Sequence, residues 1–341
     1  MSNQTKYSGI QITRFVAACV VLIYHAWHFT AMRGGVQIPE IEIWLASLGR
    51  MGVILFFSIS GFVLTHALQN ASSGQFLRHR FLRIYPPFWG AILLVVGIKL
   101  AIWGSYPWGD DFIKSLFLIP VGSIPYPLSI EWSLIYEVFF YCVLSIIWLK
   151  RSNKVLLYFS ICWMGVILIT AIVKPAVTSM LPMGYSIFFS AFNMAFIGGV
   201  LGYFIHKRIS DRFFSIALIG SFALLMFSVH VSAVSGIILV SLGTSILITL
   251  IANRDWKRVG TVRGRTFKEF GDYSYGIYLI HASVIDVISS AFFQRGIWID
   301  PITVAFVALS LGLLFGAAEF RFYQYARVLI DNSLSKDKPV K

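Results

Sequence analysis

Apolar stretches of about 20 residues, the length of helix that crosses the hydrocarbon core of a bilayer, recur along this chain from near its start to near its end. That repetition decides the fold class before any motif is considered. Ten such stretches stand near 11–31, 49–69, 84–103, 128–149, 155–173, 185–205, 213–230, 234–252, 271–293 and 302–325. With 57% hydrophobic and 13% charged residues among 341, no segment remains that would make a soluble domain. The expectation is an all-α polytopic membrane helix bundle of about ten transmembrane helices, in which 1–330 form one transmembrane domain and 331–341 a short cytoplasmic tail.

The net charge of +13 would suit nucleic acid if it were clustered, but it alternates from loop to loop. Arg78, Arg80 and Arg83, then Lys150, Arg151 and Lys154, then Lys207, Arg208 and Arg212, then the run from Arg254 to Lys268 and the tail lysines fall on one side. Arg33, Lys114, Lys174 and Arg295 fall on the other. The positive-inside rule therefore places both termini in the cytoplasm, and an even number of spans satisfies it. The first span is too long, and polar in the wrong places, for a cleaved signal peptide. Cys19, Cys142 and Cys162 all fall inside spans and are odd in number, so they read as small apolar fillers rather than a disulfide framework or metal cluster. No P-loop, dinucleotide fingerprint, zinc spacing or internal repeat is present, and no metal is expected.

The polar residues inside the spans carry the functional signal. Arg14 and His25 lie eleven residues apart, which returns to nearly the same helix face about 16 Å further along the axis. Ionisable groups in a span are costly and face the bundle interior or a wet cavity, so a site is the default reading. A snorkelling arginine and a hydrogen-bonded packing histidine are the alternatives. Arg80 and Arg83, one turn apart, suit the forked hydrogen bonds of a phosphate ligand, or serve as topogenic charges at the headgroups. Glu137 stands about 13 Å below the outer end of the fourth span, at a depth similar to that of His25, so the two can meet. A carboxylate holding one ring nitrogen would leave the other as a base. The ninth span adds His281 and Asp286, with hydroxyls from Tyr273, Tyr275 and Tyr278. Spans five to eight offer only Asn193 and the Gly198-Gly199 pair, and read as scaffold.

Five segments carry a family resemblance: Arg14 and His25 with ten residues between them; Phe56-Phe57-x-x-Ser60-Gly61-Phe62; Arg80-x-x-Arg83 followed by Ile84-Tyr85-Pro86; Trp132-Ser133-Leu134-x-x-Glu137-x-x-Phe140-Tyr141; and Ser274-Tyr275-x-x-Tyr278-Leu279-x-His281. In this order, on matching helices, they resemble the acyltransferase-3 family of integral membrane acyltransferases. Two positions depart from the pattern, Ile54 where many members are acidic, and Glu319 followed by Arg321 where Glu-x-Pro is common. The resemblance implies an O-acetyltransferase of the bacterial inner membrane. Such an enzyme moves an acyl group, most often acetyl, from acyl-CoA on the cytoplasmic side to a hydroxyl of an envelope or exported carbohydrate or glycolipid. It further implies His25 as general base with Glu137 beside it, and Arg14, Arg80 and Arg83 as the mouth for acetyl-CoA. Ser60, Trp132, Ser133, Tyr275, Tyr278 and His281 become further pocket candidates. No fused esterase-like domain is expected, so the membrane domain would perform the whole transfer. The contrasting reading is a proton-coupled exporter of an envelope intermediate using His25, Glu137 and Asp286 as a relay, against which stands the missing inverted repeat.

Overall fold

A computed structural model describes residues 7–35, 38–106, 110–122, 124–175, 183–231, 233–257 and 265–336. Lys6 and Lys341, part of the basic run and the end of the expected tail lie outside them. The described residues form helices α1 (Ser8–Gly34), α2 (Pro39–Leu68), α3 (Ser73–Trp103), α4 (Asp110–Leu116), α5 (Glu131–Ile147), α6 (Asn153–Val173), α7 (Asn193–Ile205), α8 (Asp211–Phe227), α9 (Ala233–Lys257), α10 (Arg265–Phe293) and α11 (Pro301–Lys336). Among them nine helical stretches are long and apolar enough to cross a membrane, and the chain is an integral multi-pass membrane protein. Helix α11 runs on to Lys336, through the first half of the expected tail.

The helices begin where local chemistry allows. Pro39 opens α2 with Glu40 and Glu42 in its first turn, ten residues before the expected start, so Arg50 sits well inside the helix. A capping box between Ser72 and Gln75 starts α3, which places Arg80 and Arg83 on a helix rather than in a loop. Pro86 and Pro87 lie within α3 and deprive the carbonyls of Leu82 and Arg83 of their usual donors. Asp300 caps α11 by accepting the Thr303 amide at 2.9 Å.

Helix α1 packs against α2, α9, α10 and α11. Its buried stripe of Ala17, Ala18, Val21, Leu22 and Ala26 is narrow enough for close approach, whereas Ile12, Val16 and Ile23 face outward. Lipid is as apolar as leucine, so close packing rather than hydrophobic exclusion holds such helices together. Gly61 on α2 and Gly199 on α7 show how: a Cβ on either would run into the other helix's backbone, at Phe196 O and Ser58 O. Stacked rings continue the same seam, Phe57 on Phe196 at 4.5 Å and Phe196 on Phe140 at 4.2 Å, which ties α2, α7 and α5 together.

Two segments depart from the simple span pattern. The expected sixth span, 185–205, is broken into a 3₁₀ turn at Gly184–Phe189 and the 13-residue α7. The cause is Asn193, whose side-chain amide donates to the carbonyls of Ile187 at 2.6 Å and Phe188 at 3.3 Å, offering the backbone an alternative to helix. Trp163 on α6 donates to Phe188 O at 2.8 Å, and Tyr136 on α5 donates to the Ser190 hydroxyl at 2.8 Å. The freed groups are thus satisfied within protein, the condition for irregular backbone at membrane depth.

The second departure is the long connection after α3, expected as an outer loop. Trp89 donates to Leu116 O at 3.0 Å and Tyr85 to Phe117 O at 3.3 Å. Trp89 lies fourteen residues before the end of α3, so the connection returns about 21 Å along that helix. It then meets the 3₁₀ turn through Gly184 N to Pro120 O at 2.7 Å and a bridge between Val121 and Met183.

Candidate functional site

Helices α1 and α10 run parallel, since Gly271 abuts Gln11 near their starts and His281 faces His25 further on. This fixes an axis with an arginine end and a histidine end. Along it lies a cavity of about 90 Å³ walled by α1, α2, α3, α5 and α10. Each wall is one helical stripe: Phe56, Phe57, Ser60 and Leu64 from α2; Arg80, Arg83 and Ile84 from α3; Ser133, Glu137 and Tyr141 from α5; Tyr275 and Tyr278 from α10. Arg14 contributes from α1.

The three arginines are not equivalent. Arg83 NH1 donates to both Glu319 oxygens, at 2.8 and 3.1 Å, and NH2 donates to Asp272 O at 3.2 Å. The rings of Tyr275, Tyr323 and Phe320 surround it, with centroids at 5.0, 5.3 and 5.7 Å. Its guanidinium is therefore largely committed to joining α3 to α10 and α11. Arg14 and Arg80 form no ion pair among the described residues. Arg80 sits over the Phe76 ring at 5.6 Å, and its Nε is buried with no hydrogen-bond partner among them. Two cations with donor capacity to spare thus share the cavity with one carboxylate.

That carboxylate is not beside His25. Glu137 Oε1 accepts from Tyr141 at 2.5 Å, one turn along α5, and from Ser60 on α2 at 3.2 Å. The expected meeting of Glu137 and His25 does not occur because α2 stands between their helices: α5 packs on α2, α3 and α6, whereas α1 packs on α2, α9, α10 and α11. His25 instead meets His281, with Nδ1 to Nε2 at 3.2 Å, and neither ring lines the cavity. Tyr278 separates them from it. The Ser133 hydroxyl donates to Ile130 O at 2.8 Å, so the 2.6 Å contact between Tyr278 and Ser133 has the tyrosine as donor. Tyr275 donates to Ile84 O at 3.2 Å.

The other candidates are accounted for. Trp132 lies outside the cavity and packs its ring on Phe192 and Tyr136 at 5.6 and 6.4 Å. Asp286, the second acid of the ninth span, pairs with Arg33 at 2.5 Å and Lys99 at 3.5 Å, with 29% of its side chain exposed. An acid compensated in this way has a structural reason to be there. Glu131 went unnoticed in the sequence. It is fully buried, and its oxygens accept the amides of Leu128 at 2.8 Å and Ile130 at 3.0 Å, which staples the turn at Ser129 (φ 66°) where α5 begins. The His25–His281 pair was open to the depth counting used for Glu137, because His281 stands ten residues into its expected span. Among the described residues no group of histidine, cysteine and acidic side chains has the makings of a metal site.

A helical membrane bundle with an arginine-lined cavity leading toward the His25–His281 pair is the class that fold and site define. A family model described as an acyltransferase domain matches residues 7–318, and the chain belongs to that family, acyltransferase-3. It is 27% identical to the exopolysaccharide production protein ExoZ of Rhizobium meliloti over 295 residues, which cover 80% of this chain and 88% of that protein. It is 26% identical to nodulation protein 10 of Rhizobium leguminosarum bv. viciae over 168 residues, 41% of this chain and 44% of that protein. No solved structure matches.

Proposed function

We propose that this acyltransferase moves an acyl group, acetyl in the first instance, from acyl-CoA to a hydroxyl of an exported or envelope polysaccharide at the bacterial inner membrane. The observation that carries the reading is the pair of arginines, Arg14 and Arg80, that face the cavity with no carboxylate partner among the described residues. Unpaired guanidinium groups in a confined, low-dielectric site favour an anion, and the forked geometry suits phosphate. All three arginines and Glu137 line the cavity. The phosphates of the donor therefore stay at the arginine end, and its pantetheine arm points along α1. The rise from Arg14 to His25 on that single helix, about 16 Å, is of the length such an arm spans. The acceptor is assigned to polysaccharide by likeness to the exopolysaccharide production protein.

In the reaction, His25 removes the proton from the acceptor hydroxyl as its oxygen attacks the thioester carbonyl. The tetrahedral intermediate collapses, the carbon–sulfur bond breaks, and the departing thiolate takes the proton from the imidazolium. General-base assistance of this kind contributes about 10²- to 10⁴-fold. Glu137, locked to Ser60 and Tyr141, sets the charge of the cavity wall and holds α2 to α5.

Inverted membrane vesicles supplied with acetyl-CoA labelled on the acetyl group test the reading. Label should enter a saccharide fraction with the wild type and not with His25→Ala. Equal labelling by His25→Ala refutes the base, and a wild type that neither binds nor consumes the donor refutes the donor.

A further inference from the structure

The histidine pair has an internal logic that fixes where its protons lie. His281 is fully buried, and its Nδ1 lies 2.8 Å from Tyr278 O and 3.2 Å from Ile277 O. Carbonyl oxygens only accept, so Nδ1 of the neutral ring carries the hydrogen and Nε2 is left as a bare lone pair. That lone pair faces His25 Nδ1 at 3.2 Å. His25 Nδ1 also lies 2.9 Å from Val21 O, another group that only accepts. Both neighbours thus require the hydrogen on His25 Nδ1. The remaining nitrogen, His25 Nε2, makes no hydrogen bond to any described residue and holds the free lone pair.

We infer that His281 is the positioning residue of the transfer reaction: its Nε2 accepts the Nδ1–H of His25, holds the His25 ring in the tautomer whose Nε2 is the base, and strengthens that bond when Nε2 takes the proton from the acceptor. This inference rests on the reading of His25 as the general base. It assigns to a neutral imidazole on α10 the part that the sequence alone assigned to Glu137. Val21 O is a weaker substitute, because it also serves the backbone ladder of α1 and cannot follow the ring as charge develops.

His281→Leu removes the acceptor while keeping an apolar side chain of similar reach, and His281→Gln restores an amide oxygen for His25 and an amide hydrogen for Tyr278 O. The leucine variant should lose about 10- to 100-fold in kcat, the size of one charge-assisted hydrogen bond, with the KM for acyl-CoA unchanged, and the glutamine variant should recover most of the loss. A merely structural residue would not show that split or that rescue. Leucine at wild-type kcat, or glutamine as slow as leucine, overturns the inference. Solid-state nitrogen NMR of histidine-labelled protein in bilayers, with His25 assigned from its absence in His25→Ala, reads the tautomer without turnover. A wild-type His25 protonated on Nδ1 alone, becoming a mixture in His281→Leu, is the expected result, and a wild-type ring protonated on Nε2 overturns it. Because that readout needs no substrate, failure of acyl transfer itself would sink the functional reading separately from this one.

Discussion

Replacing Glu319 with leucine tests what Arg83 does. The ion pair is nearly dry, with 13% of the Arg83 side chain and 3% of the Glu319 side chain exposed, and one guanidinium nitrogen spans both carboxylate oxygens. Removing one partner of such a pair leaves an uncompensated buried charge and costs about 3–5 kcal/mol, far more than the pair contributes over an apolar substitute. The hydrogen bond from Arg83 to Asp272 O survives in the variant, so the lower half of that range, about 3–4 kcal/mol, is the expected loss. The double variant Arg83→Met, Glu319→Leu removes both charges, and its stability should return to within about 1 kcal/mol of the wild type. Unfolding in mixed micelles, followed by tryptophan fluorescence, measures these three, and Arg83→Met as the fourth member closes the cycle that isolates the coupling. A loss below about 1 kcal/mol in Glu319→Leu, or a double variant as unstable as the single, would refute the assignment of Arg83 as a strut between α3 and α11. The same double variant should bind acyl-CoA within about threefold of the wild type, since the spare donors of the cavity belong to Arg14 and Arg80.

Further expectations follow from the same geometry. Arg14→Gln and Arg80→Gln should each raise the KM for acyl-CoA about tenfold or more, one charge-assisted hydrogen bond being worth about 1.5–3 kcal/mol, and steady-state kinetics against donor concentration would expose a KM that does not move. Asn193→Leu should cost about 1–3 kcal/mol in the same unfolding assay, because the carbonyls of Ile187 and Phe188 lose a buried donor, and Asn193→Leu at wild-type stability would contradict the account of the broken span. Asp286→Asn should change stability by less than about 1 kcal/mol and leave transfer intact, given its part-exposed ion pair with Arg33; loss of transfer would restore Asp286 to a proton path.

The bundle was legible in the sequence because span length and charge alternation are properties of single segments. So were the stripes, since Arg14 with His25, Arg80 with Arg83, and Ser133 with Glu137 each lie on one helix. What could not be read is which stripes face each other. Depth counting gave His25 one partner, Glu137; His281 stands at a similar level on another helix, and only the neighbour relations of α1 decide for it. The break at Asn193 was also hidden, because 185–205 is predominantly apolar and reads as one span; the signal was one amide side chain whose bonds run to its own backbone. Arg83 misled in the opposite direction. Its spacing to Arg80 suggested two equal phosphate ligands, but its partner Glu319 lies 236 residues away on another helix.

The broken segment before α7 has a consequence for how the protein is made. Alone, residues 185–205 are apolar enough to enter the bilayer as one continuous helix, with every backbone group satisfied internally. The broken form leans on its neighbours, since besides the bonds Asn193 makes within the segment, the Phe188 carbonyl accepts from Trp163 of α6 and the Ser190 hydroxyl accepts from Tyr136 of α5. Opening therefore belongs to assembly and follows insertion. It makes the arrival of α5 and α6 the event that converts a generic anchor into part of the wall behind the site, so a nascent chain acquires this feature only after both helices are already in place.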